Sequence, residues 1–320
     1  MISIDRTNLR IVFMGTSDFA SVILRSLSLA GYNISCVYTK SSTGGRGKRN
    51  PLLSNVRITA DEMDLEVRSP LQFDNCDVEF IKSIKPDFIV VAAYGLLLPA
   101  NILNIPSICC LNVHASLLPK WRGANPIQRA IMSGDKTTGV CIMKVVEALD
   151  AGPIFCKKSV EIGDRLTTKT LSDKLAHIGA DLLVSSIPRI ASEGYQPTPQ
   201  EEHFTYASKI SENESWILWS QKAAIVDCQI RALSPDPGAW FMFKGERIKV
   251  LDSIIEHLSP CELCAVPGTV LDNNLLVSCK DSLSQGVGVR LLKLQRSGKL
   301  ELKAKNFLNG YKIIRSDILI

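Results

Sequence analysis

The sequence predicts an α/β chain in two parts: a doubly wound, mostly parallel sheet, followed by a smaller domain of the β-barrel kind. Three observations carry this. Short apolar β-prone runs alternate with longer amphipathic segments over roughly the first 190 residues, the pattern of strands joined by crossover helices. One glycine and two prolines, Gly194, Pro197 and Pro199, then break the periodicity. Beyond them the chain turns to short β-prone runs around a single helix-period segment. A chain of 320 residues also has the length for two hydrophobic cores.

Taken in order, Arg10 to Met14 reads as the first strand, Ser17 to Ala30 as an amphipathic helix capped by Ser17, and Ile34 to Tyr38 as the second strand. The intervening Gly15-Thr16-Ser17 lacks the three-glycine spacing of a dinucleotide loop, so it reads as a tight strand-to-helix turn and no nicotinamide cofactor is expected. Asp87 to Ala92 is a buried strand. Ile108 to Leu111 enters the core as another, and period-two alternation carries Asn112 and His114 onto one face with Val113 opposite. Thr138 to Val146 is a further strand, and Glu147 to Pro153 turns out of it. Thr167 to Ser192 is helical by pattern. Lys222 to Leu233 reads as a helix, and Ala239 to Phe243, Arg247 to Ile254 and Gly288 to Leu294 as strands. The expected division is therefore a first domain over 1–190, a linker over 191–208 and a second domain over 209–320.

The net charge of +5, with +3 of it in residues 209–320, permits a polyanionic partner without demanding one. Position is more telling. Lys40 to Arg49 holds four cations (Lys40, Arg46, Lys48, Arg49), three glycines and no acid. Alone, such a stretch reads as a solvated, flexible loop, although its cations can neutralise phosphates. Ten cysteines without regular spacing, and no secretory signal, favour reduced thiols in a cytoplasmic protein. Cys261 and Cys264 form a lone Cys-x-x-Cys pair, and His114, His177, His203 and His257 are dispersed, so no metal is expected. Every apolar run stops well short of the roughly 20 residues that span a bilayer, and no membrane association is expected.

An amide and an imidazole side by side at the end of a buried strand can handle an electrophile, although a lone pair of this kind is more often an inert, hydrogen-bonded part of a core. The surrounding run changes that balance. Leu111 to Gln128, with Thr138 to Val146 and the turn Glu147-Ala148-Leu149-Asp150-Ala151-Gly152-Pro153, closely resembles the enzymes that use 10-formyltetrahydrofolate as formyl donor. Leu9 to Ala20, Ala93 to Pro99, Trp121 to Ile131 and Thr205 to Ile210 resemble, within that superfamily, the methionyl-tRNA formyltransferase family. The likeness runs from about Leu9 to the C-terminus. Departures occur at Ala148 and Ala151, where the family usually has Gly and Thr, at Asn125, where it usually has Ala, and at Lys40-Ser41-Ser42-Thr43, which occupies the place where its basic loop usually begins with a Pro-Asp pair.

The resemblance implies a Rossmann-like formyltransferase domain followed by an OB-like domain that binds tRNA. It implies a catalytic trio of Asn112, His114 and Asp150, a folate-pocket loop of Ser116, Leu117, Leu118 and Pro119, and a basic loop of Lys40, Arg46, Lys48 and Arg49 that meets the acceptor end of tRNA. Arg46 aligns with the arginine used there for recognition. The co-substrate would be 10-formyltetrahydrofolate and the partner charged initiator methionyl-tRNA, with no obligate protein partner. In that chemistry Asn112 and His114 donate hydrogen bonds to a developing oxyanion, and Asp150 orients the imidazole or accepts the amine's proton. Formyl transfer to a small amine is the alternative within enzymes, and the second domain and the basic loop argue against it. A non-catalytic RNA-binding protein is a third possibility, and the joint presence of the trio argues against that.

Overall fold

The computed structural model describes residues 5–40, 53–192, 195–258 and 266–320. Its contacts divide the chain into two compact units, one of Met1–Pro126, Thr137–Glu161 and Ser172–Ala207, the other of Ile127–Lys136, Ile162–Leu171 and Ser208–Ile320. Arg46, Lys48 and Arg49, and the Cys261 and Cys264 pair, lie outside the described residues.

The first unit is built on β1 (Arg10–Gly15), β2 (Asn33–Tyr38), β3 (Val67–Arg68), β4 (Phe88–Ala92), β5 (Cys109–His114), β6 (Arg122–Gly123), β7 (Thr137–Lys144), β8 (Ile154–Glu161) and β9 (Tyr206–Ala207). Seven of these form one sheet in the order β3-β2-β1-β4-β5-β7-β8. Neighbours from β3 to β5 are parallel, whereas β5–β7 and β7–β8 are antiparallel. A mostly parallel sheet results, as expected. Its central strands are apolar throughout because helices cover both faces. All five residues of β4 are buried, as are Ile11 to Gly15 of β1.

Helix α1 (Asp18–Leu29) buries Phe19, Ala20, Ile23, Leu24 and Leu27, the spacing of one helical face. Ser17 is its N-cap in extended backbone but makes no side-chain cap bond, a difference from the usual serine cap. The turn before it is tight: a Cβ at Gly15 would lie 2.6 Å from Ala20 Cβ and 2.9 Å from Ala92 O. On one face Val12, Met14, Ile89 and Val91 pack with Val78 and Ile81 of α2 (Asn75–Ile84). Beneath β5 lies α3 (Thr168–Ile190), where Gly179 lets the helix approach so closely that a Cβ would come within 2.9 Å of Val113. Val113 therefore faces α3, which directs Asn112 and His114 to the other face. Strand β8 is missing from the sequence reading because Lys157, Lys158 and Ser159 on this edge strand are exposed and give no apolar alternation.

The second unit holds an antiparallel, half-barrel sheet of β10 (Ala239–Phe243), β11 (Glu246–His257), β13 (Val287–Arg296) and β12 (Leu276–Ser278) in that order, with β14 (Leu302–Lys303) on β13. Helix α4 (Ala223–Leu233) buries Ala223, Val226, Ile230 and Leu233, and its apolar face joins Phe241, Val250, Val289 and Leu291 in the core. Within it, the buried pair Arg231–Asp227 is set at 2.7 Å, and Ser253 Oγ donates to Asp227 at 2.8 Å, so each buried charge has partners. Edge strand β10 is not left bare: Met242 and Ile320 exchange backbone hydrogen bonds, and Ile217 N–H donates to Trp240 O.

Candidate active site

Strand β5 ends where the site begins. Asn112 and His114 stand two residues apart on its C-terminal half, and that end of a doubly wound sheet is where such folds place ligands. Asp150 comes from the turn between β7 and β8, in left-handed backbone at φ +49°. The turn is held shut because Lys144 N–H donates to Pro153 O at 2.9 Å and Gly152 passes so close to β7 that a Cβ would fall 1.8 Å from Lys144 O.

The Asp150 carboxylate joins the three residues. Asn112 Nδ2 donates to its Oδ1 at 3.2 Å, Gly123 N–H donates to its Oδ2 at 2.8 Å, and His114 Nδ1 lies 3.6 Å from Oδ2. The other ring nitrogen of His114, Nε2, is 3.0 Å from Trp121 O. A neutral imidazole carries one N–H and can satisfy only one of these neighbours, whereas the protonated ring donates to the carbonyl and faces the carboxylate with its other N–H. His114 is buried and Asn112 only half-buried, so the amide is the more accessible of the two. Cys141, opposite His114 in the β5–β7 register, is pushed up to about 11 by burial and remains a neutral thiol near neutral pH.

The loop after β5 divides between packing and lining. Ser116 is fully buried and its hydroxyl donates to Lys120 O at 2.6 Å. Leu117 packs on Gly139 of β7, where a Cβ would meet Leu117 Cδ2 at 2.5 Å. Leu118 and Pro119, joined by a cis peptide, line a cleft of about 220 Å³ with Ile154, Lys157, Thr198 and Gln200. Lys40, the first residue of the basic stretch, reaches Gly95 O with Nζ at 3.4 Å.

Several groups around the carboxylate were not legible in the sequence. Gln200 Nε2 donates to both Asp150 O and Gly152 O, at 2.8 and 2.7 Å, while its Oε1 accepts from Arg122 Nε and Nη2 at 3.0 and 2.8 Å. Thr205 Oγ1 accepts from Trp121 N–H at 2.9 Å. Gln200 belongs to the stretch read as linker, with no local pattern to mark it, whereas Thr205 opens the Thr205 to Ile210 segment that resembles the family. Gly152, beside Pro153 in a turn, carried a local signal of its own.

Residues 9–187 match the formyl transferase family, and residues 209–312 match the formyl transferase C-terminal domain family. Among curated proteins, the methionyl-tRNA formyltransferase of Roseobacter denitrificans is 44% identical over 309 residues, covering 95% of this chain and 97% of the relative. That of Ruegeria pomeroyi is 41% identical over 308 residues, covering 95% and 98%. The fold is also that of WlaRD, a sugar 3N-formyl transferase solved in the presence of dTDP and 5-N-formyl-THF. That likeness has a TM-score of 0.65 at 17% identity and covers 91% of this chain and 99% of that one. With both family domains present in order and such identity over nearly the whole length, the chain belongs to the methionyl-tRNA formyltransferase family.

Proposed function

We propose that this chain transfers the formyl group of 10-formyltetrahydrofolate to the α-amino group of methionine carried by initiator tRNA, giving N-formylmethionyl-tRNA for translation initiation. The observation that carries this reading is the gathering of Asn112, His114 and Asp150 around one carboxylate. Family membership supports a folate-type formyl donor and a charged tRNA acceptor. No helix among the described residues is long and apolar enough to cross a membrane, and translation initiation would place the enzyme in the cytoplasm.

The amine attacks the formyl carbon, the carbonyl oxygen takes up negative charge in a tetrahedral intermediate, and that charge then returns to re-form the carbonyl as the C–N10 bond breaks and N10 leaves carrying a proton, giving tetrahydrofolate. Asn112 uses one N–H on Asp150, and its second N–H is available to the oxyanion. A donor of this kind is worth about 100- to 1,000-fold in rate. The attacking group must be the free amine, whose ammonium form has a pKa of about 7.7 to 8.0. Its proton passes to the His114–Asp150 pair. The two ring nitrogens of His114 lie toward Trp121 O and the Asp150 carboxylate. The Leu118–Pro119 segment shapes the folate side of the site. Lys40, Arg46, Lys48 and Arg49 are assigned to the tRNA acceptor end.

The test is direct. Purified protein with 10-formyltetrahydrofolate should formylate charged initiator tRNA and leave free methionine unmodified. Arg46→Ala should weaken use of charged initiator tRNA, reduce the salt dependence of its binding or its discrimination against elongator tRNA, and leave folate binding intact. Absence of transfer to the charged tRNA, or equal transfer to free methionine, overturns the assignment.

A further inference from the structure

We propose that Gln200 is a positioning residue for Asp150, clamping the turn that presents the carboxylate and holding it to Arg122; this rests on the assignment of Asp150 to the reaction. All four hydrogen-bonding opportunities of the Gln200 amide are used, two as donor and two as acceptor. The amide nitrogen spends both its N–H groups on the turn, one on Asp150 O and one on Gly152 O. The amide oxygen takes two N–H groups of one guanidinium. Arg122 is itself buried, and its guanidinium carbon lies 4.4 Å from the centre of the Phe204 ring, so the anchor is fixed in turn.

The backbone around the clamp is pinned on both sides. Thr198 and Ile154 exchange N–H···O bonds of 2.8 Å, which fixes Gln200 two residues further on beside the start of β8. At the other end Arg122 N–H donates to Thr205 O at 2.8 Å, and Arg122 pairs with Tyr206 in the β6–β9 ladder. Gly123, next in that ladder, donates its N–H to Asp150 Oδ2. One short segment, Arg122-Gly123, thus holds the Asp150 carboxylate directly and the Asp150 main chain through Gln200. Asp150 stands in left-handed backbone, which a non-glycine residue adopts at a cost, so outside bonds are needed to keep the turn in place.

Only an amide at this position does both jobs. A carboxylate of the same size keeps its pairing with Arg122 but presents oxygen to two carbonyl oxygens and releases the turn. Gln200→Glu should therefore retain the fold, judged by a single cooperative thermal transition, while kcat for formylation of charged initiator tRNA falls about 100-fold, the usual scale for a misplaced catalytic group. Measuring Gln200→Glu, Asp150→Asn and the double variant separates the two claims. If Gln200 acts through Asp150, adding Gln200→Glu to Asp150→Asn costs little more. A Gln200→Glu enzyme with wild-type kcat overturns the proposal, as does a loss that multiplies fully with that of Asp150→Asn. A melted Gln200→Glu protein is answered by Gln200→Asn and Arg122→Lys, which must lower kcat with the fold intact for the proposal to stand. Asp150→Asn at wild-type rate instead overturns the underlying role of Asp150.

Discussion

Asp150→Asn is the substitution most exposed to refutation, because it changes charge without changing size. The carboxylate offers two acceptor oxygens, one to Asn112 and one to Gly123 N–H. An asparagine offers one, so a donor is turned against the new NH2 group, at a cost of about 1 to 3 kcal/mol. The larger effect is on charge. At 3.6 Å a carboxylate and an imidazolium attract by about 5 kcal/mol at an effective dielectric near 20. Water admitted to the site would weaken that, and about 1.4 kcal/mol corresponds to a factor of ten in rate. The expected fall in the chemical step is therefore about 1,000-fold or more. Single-turnover formylation of charged initiator tRNA, with both substrates saturating, isolates that step from product release. A rate within about tenfold of wild type, with the same pH dependence, would remove the carboxylate from proton handling and leave it as a hydrogen-bonded core group.

Asn112→Ala and His114→Ala should each lower turnover about 100-fold or more and leave charged-tRNA affinity nearly unchanged, since their contacts strengthen as the oxyanion forms; a variant with near-normal turnover leaves the catalytic group. Gly152→Ala forces a Cβ to within 1.8 Å of Lys144 O, so the turn must move: stability should fall by about 2 kcal/mol in urea unfolding, with turnover falling alongside, and an unshifted midpoint would show that the turn gives way freely. In the second unit, the Arg129 guanidinium bonded to Glu214 holds that carboxyl down at about 2. The pair therefore stabilises the fold above the ordinary glutamate pKa, and that contribution is lost as pH falls toward 2. The stability gap between wild type and Glu214→Gln should close on acidification; a gap constant with pH would mean that the contact contributes packing alone. Glu214 is partly exposed, so the gap will be modest.

What the chain's own order determines is whatever is repeated between near neighbours. Ala239–Phe243 stands as a strand where β-prone residues alternate, and α1, α3 and α4 fall within one or two residues of their expected ends. The shared face of Asn112 and His114 follows from period-two geometry alone, and Val113 beneath Gly179 is its structural counterpart. Asp150 was legible only through the resemblance of its turn. Tertiary structure decided the rest. It set Asn112 to Asp150 across 38 residues, Gln200 to Asp150 across 50 and Arg122 to Gln200 across 78. It also drew Thr198 to Ala207, a stretch of loop-forming residues by composition, into hydrogen bonds with β6 and β8. Periodicity records which way a side chain points, because successive residues share one backbone geometry. Which distant backbone carbonyl or carboxylate it meets depends on how the strands and turns close in space, and no spacing along the chain encodes that.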